Sequence, residues 1–342
     1  MEYSLGLRCC EEVSTLAFLI RRVEHAQRKT VRFLEVEMKI AVMGAGAIGC
    51  FAGGLLARAG HDVTLVGRQN HVSAIRRDGL RFESAAFDEF IQVDACTDAS
   101  GIAGAELILF CVKSTDTEEA AAAIKPCVSP SAVIVTLQNG VDNAERVRSI
   151  ISCEVLAAAV YVGSEMPGAG HIRHNGGGDL IVEPGQASDR LARILSAAGI
   201  ATTISANVRG ALWEKLMLNC AYNAVSALVQ LPFGELCRRG GAAVASAMRD
   251  IVAECIAVAS ADGVNMSRNV DETVARIMAT IPAGQYSSTA RDVAMNRPSE
   301  IDHLNGHIVR RGAALGVATP VNHLLLMMVR VIGKPAHPIP TA

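Results

Sequence analysis

The stretch "EMKIAVMGAGAIGCFAGGLLARAGHDVTLVGR", residues Glu37 to Arg68, decides the fold of this chain. The apolar strand "KIAVMG" is followed at once by a glycine loop, and the loop opens a helix over Ala47 to Ala59 that Gly60 ends. A second apolar strand, "DVTLVG", comes next. This order of strand, loop, helix and strand predicts the first βαβ unit of a dinucleotide-binding domain.

The loop itself reads GxGxxG. Its six residues are Gly44, Ala45, Gly46, Ala47, Ile48 and Gly49. The pattern alone is weak, and a glycine turn in an unrelated α/β unit is the alternative, but its place between strand and helix makes it informative. Gly44 permits the tight turn, Gly46 lets the backbone approach a pyrophosphate, and Gly49 packs helix on strand. The free N–H groups of the helix start favour phosphate, so we predict that these six residues bind a dinucleotide cofactor.

Arg68 follows the second strand, where an NAD-binding unit usually carries an acidic residue for the ribose 2′-hydroxyl. An arginine can pair with a 2′-phosphate, which a carboxylate would repel. The sequence therefore favours NADP(H) over NAD(H). A surface arginine without any contact is the alternative interpretation.

The remaining pattern predicts an α/β fold, with an N-terminal Rossmann-type doubly wound parallel sheet followed by an all-helical C-terminal domain. The runs "AELILFCV" and "SAVIVTLQNG" are short, apolar and typical of parallel strands buried on both faces. "EVLAAAVYVGSEM" reads as a further strand, and "GHIRHN" and "DLIVEP" on either side of Gly176-Gly177-Gly178 read as a hairpin. From Asn207 onward, helical periodicity replaces the strands.

A chain of 342 residues is long enough for two domains. We expect an NADP-binding domain over 38–205, a helical substrate-binding and catalytic domain over 206–332, and a proline-rich tail over 333–342. Residues 1–37 are an extension of doubtful structural role. A start codon assigned too far upstream of Met38 would explain them, whereas four acidic residues before Phe33 count against a transit peptide.

The composition limits the partners. Half of the residues are hydrophobic, 19% are charged and the net charge is −2, so no basic excess attracts nucleic acid or anionic lipid. No run approaches the roughly 18 apolar residues of a membrane span. The ten cysteines are scattered without a CxxC pair, which fits a reducing cytoplasm. We expect a cytoplasmic protein that acts on a small molecule, with a homodimer as one option.

Two polar residues follow predicted strands. Lys113 ends "LILFCVKS" and Asn139 ends "VIVTLQN", so both side chains should lie beyond the carboxyl ends of the strands, where this fold binds ligands. A plain surface lysine and an ordinary turn asparagine are the alternatives.

The helix "LWEKLMLNCAYNAVSALV" carries a polar stripe. Lys215, Asn219 and Asn223 are spaced i, i+4 and i+8, so they share one face of an otherwise apolar helix. The stripe is either a solvated outer face or a cleft wall in which a lysine protonates an alkoxide and the amides hold a carboxylate.

The segment "NRPSEIDHLNG" looks like a helix start, with Ser299 as N-cap and Glu300 in the first turn, and this needs no functional explanation. His303 and His307 are four residues apart, but no third ligand is evident. We therefore expect surface histidines and no metal.

Taken together, these motifs resemble the ketopantoate reductase (2-dehydropantoate 2-reductase) family of the 6-phosphogluconate-dehydrogenase-like superfamily. The match runs from Met38 to about Arg330 and rests on four motifs: "MGAGAIG" with Arg68, "CVKS" with "LQNG", "LWEKLMLNCAYN", and "NRPSEIDHLNG". The resemblance implies NADPH-dependent reduction of 2-dehydropantoate to (R)-pantoate, a step toward coenzyme A.

The resemblance also implies residue roles. Lys215 would be the general acid, and Glu300 would hydrogen-bond the substrate's hydroxyl group. The other implied contacts are Asn139, Asn219, Asn223 and Ser288 for substrate, with Ser287 as the alternative to Ser288, and Lys113, Asn139 and Arg68 for cofactor. A reductase of another 2-keto acid remains an alternative, as does an NADP(H)-sensing protein without catalysis.

Overall fold

The computed structural model describes residues 38–266 and 268–333, and the described residues from Lys39 onward belong to one compact unit. Ten strands form one sheet within them. They are β1 (Lys39–Met43), β2 (Asp62–Val66), β3 (Leu80–Glu83), β4 (Asp88–Ile91), β5 (Asp94–Cys96), β6 (Leu107–Phe110), β7 (Val133–Thr136), β8 (Glu154–Gly168), β9 (His171–Val182) and β10 (Thr202–Ile204).

Eleven α-helices accompany these strands in the described residues. They are α1 (Ala47–Ala59), α2 (Gln69–Asp78), α3 (Thr117–Ile124), α4 (Asn143–Arg148), α5 (Ser188–Ala197), α6 (Val208–Val229), α7 (Phe233–Ala261), α8 (Val270–Thr280), α9 (Ser288–Ala294), α10 (Asn305–Leu315) and α11 (Pro320–Ile332). None of these helices is long and apolar enough to cross a membrane.

The parallel part of the sheet has the order β5-β2-β1-β6-β7-β8. This is the strand order of a dinucleotide-binding fold, which reverses direction between β1 and β6. A crevice therefore opens beyond the carboxyl ends of these two strands. The predicted fold class, a Rossmann-type sheet followed by helices, is confirmed.

The hairpin predicted around Gly176 is wrong. Residues 171–175 of "GHIRHN" and 179–182 of "DLIVEP" belong to one continuous strand, β9, which runs antiparallel to β8. The three glycines keep φ values of 128°, 71° and 131° inside the strand, where the β8–β9 register is irregular. Bulges thus accommodate the glycines without ending the strand. The chain instead reverses between β8 and β9, where Gly170 has a φ of 65°.

Strands β3, β4, β9 and β10 extend the sheet beyond the parallel part. The pairs β3–β4 and β8–β9 are antiparallel, so the complete sheet is mixed. The last strand ends at Ile204, and every later regular element among the described residues is helical.

Helix α6 is the central element of the helical half of the chain, which comprises α6 to α11. The preceding part, with β1 to β10 and α1 to α5, is the sheet half. The start of α6 is capped by the side chain of Asn207, which accepts from the backbone N–H of Gly210 at 3.2 Å. Its apolar face lies in a core with α7, α8, α10 and α11 that includes the fully buried Trp213 and Tyr222. The helix also packs against β8, and the Tyr161 hydroxyl donates to the Ala211 carbonyl at 3.0 Å. The same helix therefore contacts both halves of the chain.

Candidate active site

The glycine loop follows β1 and turns into α1 at the centre of the sheet. Gly44 has a φ of 111°, and a Cβ atom there would lie 2.7 Å from the backbone carbon of Cys111. A Cβ on Gly49 would collide with the carbonyl oxygen of Gly44. Nothing lies within 4 Å of the position that a Cβ of Gly46 would take. Two glycines are thus required by the protein itself, whereas Gly46 leaves open space beside the backbone.

The start of α1 presents unpaired backbone donors. The N–H groups of Gly44 and Ala45 bind the Val66 carbonyl at 3.0 and 2.9 Å, but Gly46 is the N-cap and no side chain caps the helix. Ala47 and Ile48 begin the first turn, which has no acidic residue. An uncapped helix start with open space in front of it fits a phosphate group. That these residues bind the pyrophosphate stays a prediction.

Arg68 lies at the N-cap position of α2, directly after β2. Its side chain is exposed. It has no hydrogen-bond or ion-pair partner in the part of the chain that the structure describes. The guanidinium is therefore available to a ligand at the edge of the crevice, as the predicted phosphate contact requires.

Lys113 lies beyond the end of β6 and is not a plain surface lysine. Its Nζ donates to Asp292 Oδ2 at 2.7 Å and to the Pro298 carbonyl at 2.8 Å. The side chain is 32% exposed, against 16% for Asp292. The ion pair joins the sheet to α9, 179 positions away in sequence, and the second hydrogen bond joins it to the segment after α9.

Glu300 is held over the ends of β6 and β7 by groups of the sheet half. Its Oε1 accepts from the backbone N–H of Ser114 at 2.8 Å, and its Oε2 accepts from Asn139 Nδ2 at 3.2 Å. Asn139 is fixed in turn, because its carbonyl accepts from Asn143 Nδ2 at 2.7 Å and from the Ser114 hydroxyl at 2.6 Å. The carboxylate is consequently oriented by two donors that follow neighbouring strands.

The polar stripe of α6 is not a solvated outer face. Lys215 and Asn219 are half-buried, and Asn223 is only 4% exposed. Their side chains make no hydrogen bond within the described residues. Burial lowers the pKa of Lys215 to about 8, and the Glu300 carboxylate, the next largest influence, acts in the opposite direction. A partly desolvated lysine without a protein acceptor therefore lies near Glu300.

The two candidate serines differ in environment. Ser287 is buried and caps α9, since its hydroxyl accepts from the Ala290 N–H at 3.0 Å and donates to the Asn223 carbonyl at 3.2 Å. Ser288 is exposed at the first position of α9. The cap occupies the hydroxyl of Ser287 and leaves that of Ser288 for a ligand.

Two interpretations of the segment after Pro298 are wrong. Ser299 does not cap a helix, because a short 3-10 turn begins at Ile301 with Glu300 at the N-cap position. The histidines are not surface residues either. His303 Nδ1 lies 3.4 Å from an Arg146 nitrogen, and His307 Nδ1 lies 3.5 Å from Asp142 Oδ2, with both rings half-buried. Glu300 occupies the N-cap position of the 3-10 turn, but its carboxylate binds Ser114 and Asn139, so no side chain caps that turn.

No group of three His, Cys, Asp or Glu side chains suited to a metal ion occurs among residues 38–266 and 268–333. The expectation of a metal-free site stays a prediction.

Sequence reasoning missed two residues of this cluster. Asp292 fixes Lys113, and Ser114 supplies both a backbone donor to Glu300 and a hydroxyl to Asn139. Asp292 lies one helical turn after Ser288, which was the available signal. Ser114 binds Glu300 through its backbone N–H, so its residue type gave no indication of that contact.

A dinucleotide-binding sheet joined to a helical domain, with Lys215 near a carboxylate held beyond the strand ends, defines the class of two-domain reductases that use a nicotinamide dinucleotide. The family model described as ketopantoate reductase PanE/ApbA matches residues 40–187, and the model of its C-terminal domain matches residues 207–333. The chain belongs to the ketopantoate reductase family, and it is an oxidoreductase of the 2-dehydropantoate 2-reductase type.

Individual relatives agree with the family models. The 2-dehydropantoate 2-reductase of Halobacterium salinarum is 35% identical over 309 residues, which cover 86% of this chain and 98% of the relative. That of Mycobacterium tuberculosis is 31% identical over 295 residues, 85% of this chain and 96% of the relative.

Solved structures have the same fold. The crystal structure of a PanE/ApbA family ketopantoate reductase from Ralstonia eutropha JMP134 is 54% identical, with a TM-score of 0.83 over 86% of this chain and 98% of that one. D-mandelate dehydrogenase, solved with NADH and anilino(oxo)acetate, has a TM-score of 0.80 at 24% identity, again over 86% and 98%. At that identity, the second similarity supports the fold alone.

Proposed function

We propose that this chain reduces 2-dehydropantoate to (R)-pantoate with NADPH, a step toward coenzyme A, and that Lys215 is the general acid. One observation carries the proposal. Lys215, Asn219 and Asn223 form an unpaired polar stripe on a buried helix, and the lysine is near Glu300, which the strand ends of the sheet half hold in place.

Lys215 has the properties of a proton donor for ketone reduction. When bound, the reduced nicotinamide supplies the hydride for the keto carbon, and negative charge develops on the keto oxygen. An ammonium group at that oxygen stabilises the charge and supplies the proton. With a pKa of about 8, Lys215 is mostly protonated at pH 7 and donates more readily than an exposed lysine.

The other polar groups are suited to orienting the substrate. Asn219, Asn223 and Ser288 have donors that no other group in residues 38–266 and 268–333 uses, and they can bind the carboxylate and the oxygens of a small 2-keto acid. Glu300 is an acceptor fixed by two donors, so it can receive a hydrogen bond from a substrate hydroxyl. These features together favour a hydroxylated keto acid.

We assign NADP(H) rather than NAD(H) on the strength of Arg68, which occupies the start of α2 and whose side chain has no partner in the described part of the chain. Lys113 and Asn139, beyond β6 and β7, lie where the nicotinamide and the substrate would meet. Arg68→Asp should reduce the preference for NADPH over NADH, measured as the ratio of kcat/KM values. An unchanged ratio would place the phosphate contact elsewhere.

The substrate is tested by following NADPH consumption with 2-dehydropantoate and a panel of other 2-keto acids. We expect the highest kcat/KM for 2-dehydropantoate. A higher value for another keto acid would reassign the substrate, and no turnover of any would favour an NADP(H) sensor. Lys215→Met should lower kcat at least about a hundredfold with NADPH binding retained. Lys125→Met, which changes an exposed lysine of the sheet half, is the matched control.

We also propose that the chain forms a homodimer in the cytoplasm. Helix α11 exposes Leu324, Met327, Met328, Val331 and Ile332, by 54%, 46%, 39%, 62% and 42%, at helical spacing. Such a stripe offers on the order of 400 Å² of apolar surface, about half of what one partner of a stable interface buries. An antiparallel second copy of α11 would cover it symmetrically.

Sedimentation velocity tests the dimer. Leu324→Glu with Val331→Glu should convert it to a monomer, whereas Phe90→Glu, which changes an exposed apolar residue of β4, should leave it intact. A monomeric wild-type chain at micromolar concentration would overturn the proposal.

A further inference from the structure

The turn after α9 carries an arginine that the described active-site cluster does not use. Arg297 follows Asn296, where a φ of 50° turns the chain sharply. The backbone N–H of Arg297 donates to the Asp292 carbonyl at 2.8 Å. The next residue, Pro298, accepts from Lys113 Nζ at 2.8 Å. Ion pair and hydrogen bonds therefore fix the position of this turn against the sheet half.

The strand order places this turn close to the start of α2. Lys113, which binds Pro298, follows β6, whereas Arg68 follows β2, and only β1 lies between these strands. Two strand spacings amount to about 10 Å, a span that a long arginine side chain at the turn largely bridges.

His71, one turn into α2, lies within the electrostatic reach of both arginines. Its Nδ1 accepts from the Gly170 N–H at 3.3 Å. The pKa of His71 is lowered first by burial, then by the charge of Arg68 and then by the charge of Arg297. The two guanidinium groups therefore act on the same imidazole, one from each half of the chain.

Neither arginine has an acidic partner within the described residues. The carboxylates closest to Arg297 along the chain are already bound: Glu300 accepts from Ser114 and Asn139, and Asp292 accepts from Lys113. Both arginines are exposed. Two cations that lack a carboxylate partner among the described residues repel each other where their side chains approach, and a doubly charged anion between them would turn this repulsion into attraction. The site is thus suited to a phosphate monoester.

We infer that Arg297 completes, from the helical half, the anion site that Arg68 begins on the sheet half, and that this site takes the 2′-phosphate of NADPH. The inference rests on the proposed function. Arg297 is then a residue that determines the preference for NADPH over NADH. The 2′-phosphate also links the two halves, in addition to strengthening cofactor binding. A cofactor held by both halves would add to the contacts that already hold the turn after α9, and with it Glu300, at the strand ends.

The test compares the dissociation constants of NADPH and NADH, measured by fluorescence titration. Arg297→Ala should raise the constant for NADPH about tenfold or more, and that for NADH less than about twofold, because only NADPH has the phosphate. Arg297→Lys should recover part of the loss. Arg193→Ala, which removes an exposed arginine of α5, is the matched control and should change neither constant.

Combining Arg297→Ala with Arg68→Ala separates a shared site from two independent contacts. For a shared phosphate, the double variant should bind NADPH less weakly than the product of the two single effects predicts. Equal loss of both cofactors would overturn the inference, as would an unchanged NADPH constant in a variant that folds. If Arg297→Ala does not fold, Arg297→Gln is measured instead. A wild-type chain that binds no NADPH would contradict the proposed function itself.

Discussion

At the residue scale, Gly44 and Gly46 stand two positions apart in the same loop and are glycines for different reasons. Gly44 needs a positive φ and a close approach to Cys111, whereas Gly46 has an ordinary backbone conformation and open space beside it. Glycine at position 44 is needed for the chain to fold, whereas glycine at position 46 leaves room for a ligand. The GxGxxG pattern combines two physical demands that only the structure separates.

These demands can be measured separately. Gly44→Ala should lower the free energy of unfolding by about 2 kcal/mol or more, because the Cβ adds both strain and a backbone clash. Gly46→Ala should leave that free energy nearly unchanged and weaken cofactor binding at least about tenfold. Urea unfolding without cofactor and NADPH titration are the two measurements. A large loss of stability in Gly46→Ala would contradict this division.

The pKa of Lys215 predicts a pH dependence of catalysis. Burial lowers that pKa to about 8, so the ammonium form is complete well below pH 8 and is lost as the pH rises through that value. We expect kcat/KM for ketone reduction to fall tenfold per pH unit above about pH 8. In the reverse direction Lys215 must accept a proton, and that rate should rise over the same range. A forward rate that stays flat to pH 10 would rule out Lys215 as the acid.

At the scale of elements, the short helix α9 connects the two halves through consecutive residues of opposite charge. Arg291 pairs with Glu165 of β8, and Asp292 pairs with Lys113 beyond β6. Both pairs join α9 to strands of the sheet. The helix also carries Ser288 at its start and leads into the turn of Arg297. A helix of seven residues therefore positions several groups at once.

Removing the charge of Asp292 tests this role. Asp292→Asn should lower the free energy of unfolding by about 1 kcal/mol, since it leaves the half-buried Lys113 ammonium without its carboxylate. It should also raise the KM for the keto acid, because the turn toward Glu300 loses its anchor. Asp271→Asn, which breaks an exposed pair with Arg249, should cost less than about 0.5 kcal/mol. Equal effects of the two substitutions on stability would argue against a special role of α9.

Elements with a local signal could be predicted from the sequence. Hydrophobic periodicity and glycine positions define the first βαβ unit, and an apolar helix with a lysine and two asparagines defines α6. The stretch around Gly176 was misread because positive φ values usually end a strand, and only the pairing with β8 keeps this one intact. Cross-strand pairing is a long-range property that no local pattern carries.

At the scale of the whole molecule, the candidate site depends on contacts between distant parts of the sequence. Glu300 accepts hydrogen bonds from Ser114 and Asn139, which lie 186 and 161 residues earlier in the chain. Lys113 likewise binds the distant Asp292. The places of these residues in the sequence motifs indicate that most of them lie near the crevice. Sequence spacing does not determine which side chain contacts which, since those contacts follow from how the two halves pack.

The junction between the halves has a consequence of its own. Only residues 205–207 separate the end of β10 at Ile204 from the start of α6 at Val208. Donors for Glu300 lie before this junction and Glu300 lies after it. A connection this short keeps the halves at an effective concentration in the millimolar range or above. Two separate polypeptides cut at this junction would lose that advantage, so assembly of the site would depend on how much of each fragment a cell makes.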